Sequence, residues 1–107
     1  GDLPHEEFWL LILNRSNRII DKICISKGGI SGTVIDTRMI LNKALSKLAS
    51  AIIVCHNHPS GNTQPSEADK SITRKIKAAS QTVDINLLDH VIIADDLYYS
   101  FADHGDL

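Results

Sequence analysis

The chain opens its patterned region with Glu6 to Leu13, the run EEFWLLIL, bulky and apolar after an acidic start. That pattern predicts a strand entering the core from an exposed end. If the run is extended, Glu6, Phe8 and Leu10 share one face while Glu7, Trp9 and Leu11 share the other. Asn14 to Arg18 reads as a turn, and Ile19 to Lys27 resumes as a second strand, giving an antiparallel hairpin. Gly28, Gly29 and Gly32 form a loop. Asp36 or Thr37 then caps a helix running to about Leu48, with Ile40, Leu41, Ala44, Leu45 and Leu48 at helical spacing.

The next segment, Ala51 to Cys55, is short and continuously apolar, which predicts a strand buried on both faces and delivers His56 to a strand end. His56 to Pro65 is rich in Asn, Pro, Ser and Gly and reads as loop. Ser66-Glu67-Ala68-Asp69 opens a second helix with Ala68, Ile72, Ile76 and Ala79 on its inner face. Leu87 to Ala94 and Leu97 to Phe101 read as strands joined by a tight turn at Asp95-Asp96. The order β-β-α-β-α-β-β predicts an α/β layered fold, a mixed sheet packed with two main helices on one side or on both. A length of 107 residues fits a single domain spanning 1–107.

Composition narrows the function classes. The chain is 43% hydrophobic and 22% charged, as in an ordinary globular protein, with a formal charge of -2. Its pI near 6.2 argues against the broad basic face that sequence-independent binding of nucleic acid requires. The longest apolar runs fall far short of the roughly 20 residues that span a bilayer, so no membrane segment is expected. Cys24 and Cys55 both lie in apolar strand-like runs, where a free thiol is the commoner state. With no secretory leader legible at its start, the chain is expected in a reducing cytoplasm.

The chemistry concentrates in His56-Asn57-His58-Pro59-Ser60-Gly61 and in Ser66-Glu67-Ala68-Asp69. Two histidines two residues apart on an extended segment point to one side, and two imidazoles with a carboxylate suit zinc. Pro59 and Gly61 let the chain turn so that Asp69, in the first turn of the following helix, returns beside them. Three protein ligands leave a fourth tetrahedral position for water, the arrangement of a catalytic site, where the cation lowers the pKa of that water toward ~7. Hydrolysis also needs a general base that does not ligate the metal, commonly a Glu. Ser66 with Asp69 is equally the pattern of a helix capping box, a reading compatible with ligation. The string His-Asn-His does not make an HNH nuclease, whose named residues are scattered over a ββα unit. The zinc deaminase signature is missing.

The spacing His56-x-His58, seven residues, Ser66-x-x-Asp69 matches the JAMM motif of MPN-type metalloproteases at every position. More narrowly, HNHPSG, the PSEAD segment with Thr73, LLDHVII and YYSF resemble the RadC-like family from about His5 to Leu107. The resemblance implies a cytidine-deaminase-like (JAB/MPN) fold, zinc on His56, His58 and Asp69, Glu6 rather than Glu7 as general base, and Ser66 as hydrogen-bond donor to an oxyanion. It implies hydrolysis of a peptide or isopeptide amide in a protein substrate. The family name implies the alternative of a DNA repair or recombination factor, with the metal site secondary. RadC-like proteins often carry a preceding helical segment, so this chain reads as a catalytic domain, excised or standing alone.

Other polar residues are read more plainly. Asp89-His90, inside an apolar run, is expected to support the site or a strand end rather than ligate. His5 and His104 are expected in solvent, and Arg74, Lys75 and Lys77 on the outer side of the second helix. Gly28, Gly29, Ser31, Gly32 and Thr33 could line a substrate groove, and Asn57 and Ser60 could orient the histidines or touch substrate.

Overall fold

A computed structural model describes residues 5–28 and 35–107. It contains strands β1 (Glu7–Leu13) and β2 (Ile19–Lys27), helix α1 (Thr37–Ser46), strand β3 (Ala51–Asn57), helix α2 (Glu67–Thr82), and strands β4 (Asn86–Ala94) and β5 (Leu97–Ser100). The element order is the predicted one. The strands form one sheet in the order β2-β1-β3-β4-β5. β3 and β4, joined through α2, are parallel, and the other pairs are antiparallel, so the sheet is mixed.

Both helices lie on one face. Phe8, Leu10 and Ile12 of β1 pack in a single apolar cluster with Ile52 and Val54 of β3, Ile40 and Ala44 of α1, and Ile76 of α2. Alternation along a strand puts the other set, Trp9, Leu11, Ile53 and Cys55, on the opposite face, where each is only half-buried. Full burial of a side chain such as Leu10 or Ile52 stabilises the fold by about 1.5–3 kcal/mol relative to exposure, so the helix-covered face carries most of the apolar driving force. The expectation that Ala51 to Cys55 is buried on both faces is therefore corrected: its uniform apolarity does not reveal that the helices share a side.

The helices differ from expectation in their ends and faces. α1 is capped by the Asp36 side chain, which accepts from the Arg38 amide, and it stops at Ser46. Leu48 adopts φ 51°, with Leu48 N–H donating to Leu45 O and Ala49 N–H to Ala44 O. This is a Schellman closure with leucine where glycine is usual. Leu48 is consequently 86% exposed and Leu45 46% exposed, not part of the packing face. In α2 the buried line runs through Thr73, Ile76 and Ser80, while Ala68 is exposed and Ile72 and Ala79 are half-buried. Polar Thr73 is turned inward because it meets a buried histidine of β4.

Candidate metal centre

The antiparallel register of β1 on β3 pairs Phe8 with His56, and extending it by two residues sets Glu6 opposite His58. Phe8 and His56 stack with ring centroids 5.7 Å apart. Since side chains two apart share a face, Glu6 comes to the same side as His56. Glu7 points away, bonded by Trp9 Nε1 at 2.9 Å and facing His5 Nε2 at 2.9 Å. Those contacts hold the Glu7 carboxyl below its ordinary range.

His58 leaves the sheet just after β3, with its amide still donating to Ile93 O at 2.8 Å. The chain then turns, Gly61 N–H donating to His58 O. Gly61 has φ +85°, a left-handed conformation that favours glycine, while a Cβ there would stand 3.2 Å from Oδ2 of the exposed Asp95 side chain, a tight contact that a small shift of that side chain relieves. His58 Nδ1 lies 2.7 Å from the carbonyl oxygen of Asn62. A carbonyl only accepts, so His58 carries its proton on Nδ1 and presents a lone pair at Nε2.

Asp69 arrives from the first turn of α2. Ser66 Oγ accepts the Asp69 amide at 3.0 Å and Asp69 Oδ2 accepts the Ser66 amide at 2.8 Å, a reciprocal capping box. Asp69 Oδ1 is 3.2 Å from His56 Nε2, and Oδ2 is 3.2 Å from His58 Nε2. Burial works to raise this carboxyl, but the nearby His56 ring and the hydrogen bond from the Ser66 amide outweigh it and hold Asp69 well below the usual range. The carboxylate is ready-ionised. Ser66 is exposed, and its own hydroxyl proton is not used by the cap.

Glu6, His56, His58 and Asp69 thus converge, one donor atom from each lying within 4.8 Å of the others. His56 Nε2 and His58 Nε2 are 3.0 Å apart, and Glu6 Oε1 is 3.7 Å from His56 Nε2. Metal–ligand bonds of roughly 2.0–2.2 Å at tetrahedral angles set neighbouring donors ~3.3–3.5 Å apart. The spacing of the two imidazole nitrogens, and the approach of one Asp69 oxygen to each of them, are within a few tenths of an ångström of that edge. The donor set fits a divalent cation, with Glu6 the most distant member.

A narrow cleft of about 80 Å³ beside the donors is lined by Glu6, Phe8, Ile35, Ala68, Asp69 and Ile72. A larger groove of about 910 Å³ at the other end of β3, bordered by Leu45, Leu48 and Val83, includes none of the four.

Asn57 is a participant whose role was open. Its Oδ1 accepts from Glu7 N–H at 2.7 Å and its Nδ2 donates to His5 O at 2.9 Å. These are the peptide groups on either side of Glu6, so one amide between two histidines holds the backbone of the acid opposite. His90 is fully buried, stacked on Phe101 at 4.5 Å, and its Nε2 is 2.8 Å from His56 Nδ1. Burial and the neighbouring His56 push its pKa down to about 3. Asp89 serves the chain end, accepting Ser100 Oγ at 2.6 Å and the Ala102 amide at 3.0 Å, which seats Phe101.

His104 is exposed, as expected, with one face of its ring stacked on Tyr99 at 4.1 Å. Arg74 and Lys75 are exposed, Lys77 half-buried and Ser60 exposed. Cys24 and Cys55 are both free thiols. Gly29, Ser31, Gly32 and Thr33 lie outside the described residues. Among the described residues no helix is long and apolar enough to cross a membrane.

Comparison with known proteins accords with this geometry. The chain is 54% identical over 105 residues to a UPF0758 protein of Flavobacterium johnsoniae and 51% identical over 105 residues to one of Porphyromonas gingivalis. It is 46% identical over 103 residues to the UPF0758 protein YfjY of Escherichia coli. These alignments take in 98%, 97% and 96% of the chain but 46%, 46% and 64% of the relatives, so the chain spans about half the length of the first two. The model of the RadC-like JAB domain matches residues 1–106, and the chain belongs to that family.

Proposed function

We propose that this chain is a zinc-dependent hydrolase of peptide or isopeptide amide bonds, with His56, His58 and Asp69 as ligands and Glu6 as general base. The convergence of four donors from the entry to β1, the end of β3 and the start of α2 carries this reading. Zinc in such a donor set supplies an activated water and polarises a substrate carbonyl. Glu6, whose Oε1 is 3.7 Å from His56 Nε2, takes a proton from the attacking water and passes it to the leaving nitrogen. The hydroxyl of Ser66, exposed at the rim, donates to the developing oxyanion. A protein or peptide is the substrate class, in keeping with a formal charge of -2, which argues against a broad basic face for nucleic acid phosphates.

Elemental analysis of the purified protein, with cleavage assays on a panel of peptides and isopeptides, tests the reading. Glu6→Gln should retain zinc and lose about 10²–10⁴-fold in cleavage rate, the range for a lost proton-transfer group. His58→Ala should lose the metal. Unchanged metal content in His58→Ala would sink the assignment.

A further inference from the structure

The two histidines of the centre are oriented differently. His58 Nδ1 faces a carbonyl oxygen, which admits one proton arrangement. His56 Nδ1 faces another imidazole nitrogen, Nε2 of His90, which can donate or accept. A partner of that kind does not by itself decide which nitrogen of His56 is protonated. The decision passes inward: His90 Nδ1 lies 2.5 Å from Thr73 Oγ1, and Thr73 Oγ1 donates to Asp69 O at 2.6 Å.

We propose that Thr73 and His90 are positioning residues that fix the tautomer of His56 in which Nε2 is free to bind a cation. The carbonyl of Asp69 can only accept, so it takes the single hydroxyl proton of Thr73. Thr73 Oγ1 must then accept from His90 Nδ1–H. Neutral His90 has no second proton, so its Nε2 accepts from His56 Nδ1–H, and the lone pair of His56 Nε2 points at His58 and Asp69. Run in the opposite direction, with His90 Nε2 donating, the chain would place the proton of His56 on Nε2, where it blocks ligation. Phe101, stacked at 4.5 Å, and Phe8, edge-on at 5.8 Å, close off the relay. His90 is fully buried and Thr73 is 2% exposed. The relay starts and ends on ligand residues, tying His56 to the backbone of Asp69.

This inference rests on the metal reading above, and the experiment separates the two. Zinc affinity is measured by competition with a chromophoric chelator for the unaltered chain, Thr73→Val, Thr73→Ser and His58→Ala. Nitrogen-15 NMR of the zinc-loaded unaltered protein assigns the ring protons. Thr73→Val keeps the shape but removes the acceptor, and should weaken zinc binding by about 10–100-fold, the usual effect of losing an outer-shell partner. Thr73→Ser should recover most of that affinity, a rescue that a packing role alone would not produce. The spectrum should show His90 protonated at Nδ1 and not at Nε2. Loss of zinc in His58→Ala with unchanged affinity in Thr73→Val, or a His90 proton on Nε2, would overturn the relay while leaving the metal reading intact. Absence of zinc binding by the unaltered chain would overturn both.

Discussion

Asn57 shows how one side chain can serve a neighbour fifty residues away. Its amide bonds the peptide groups flanking Glu6, and it does so from between His56 and His58, so the backbone carrying the acid is referenced to the strand carrying the imidazoles. Removing it leaves a buried amide N–H and the His5 carbonyl without partners. Asn57→Ala should therefore cost about 1–3 kcal/mol, the penalty for an unsatisfied buried group, measurable by urea denaturation. It should also lower cleavage by displacing Glu6. A titration also belongs to this scale. Tyr99 donates to Asp106, and this bond pushes the phenol up to about 12. An unfolded tyrosine ionises near ~10, so the contribution is complete below pH ~10 and is lost as pH rises toward 12. Tyrosinate absorbance should show one late midpoint, which Asp106→Asn moves down.

Among the elements, the two helices end alike. Leu48 and Asp84 both take left-handed φ, 51° and 59°, and in each case the following amide reaches back to close the last turn, Ala49 to Ala44 O and Ile85 to Ser80 O. Neither position is glycine, so no sequence signal marks the stop. Leu48 is 86% exposed and carries the conformational cost without burial in return. Leu48→Gly should stabilise the fold by about 0.5–1 kcal/mol, read as a rise in melting temperature of several degrees for a chain of this size. Leu48→Ala, which keeps the Cβ, should show little of that gain. At the other end of α2, Ser66 and Asp69 perform the cap and the approach to the histidines with the same atoms: Asp69 Oδ2 accepts the Ser66 amide while standing 3.2 Å from His58 Nε2. Helix start and candidate site are therefore one structure.

For the whole molecule, the candidate centre ties β1, β3 and α2 at one edge of the helix-covered face. A cation bound there and not to the unfolded chain stabilises by mass action, about 2.7 kcal/mol at a hundredfold excess over Kd. Zinc at that level should raise the melting temperature by roughly 10 °C or more, and His58→Ala should abolish the rise. The opposite face of the sheet, with Trp9, Leu11, Ile53, Cys55, Val91 and Ile93 half-buried, contributes less, because no helix among the described residues covers it.

Local pattern was enough for much of this. The hairpin register face of Glu6 and Phe8, the order of the seven elements, and the grouping of His56, His58, Ser66 and Asp69 all follow from side-chain periods and short spacings, which act over a few residues and survive in any context. Tertiary structure alone decided that both helices share one side, that Leu48 and Ala68 face solvent, and that Asn57, Thr73 and His90 meet their partners. Those outcomes depend on contacts between residues distant in sequence, such as Asn57 with Glu7 and Thr73 with His90. A buried threonine or asparagine looks in sequence like any surface one. Its burial becomes favourable only once the fold brings the other half of the hydrogen bond within reach.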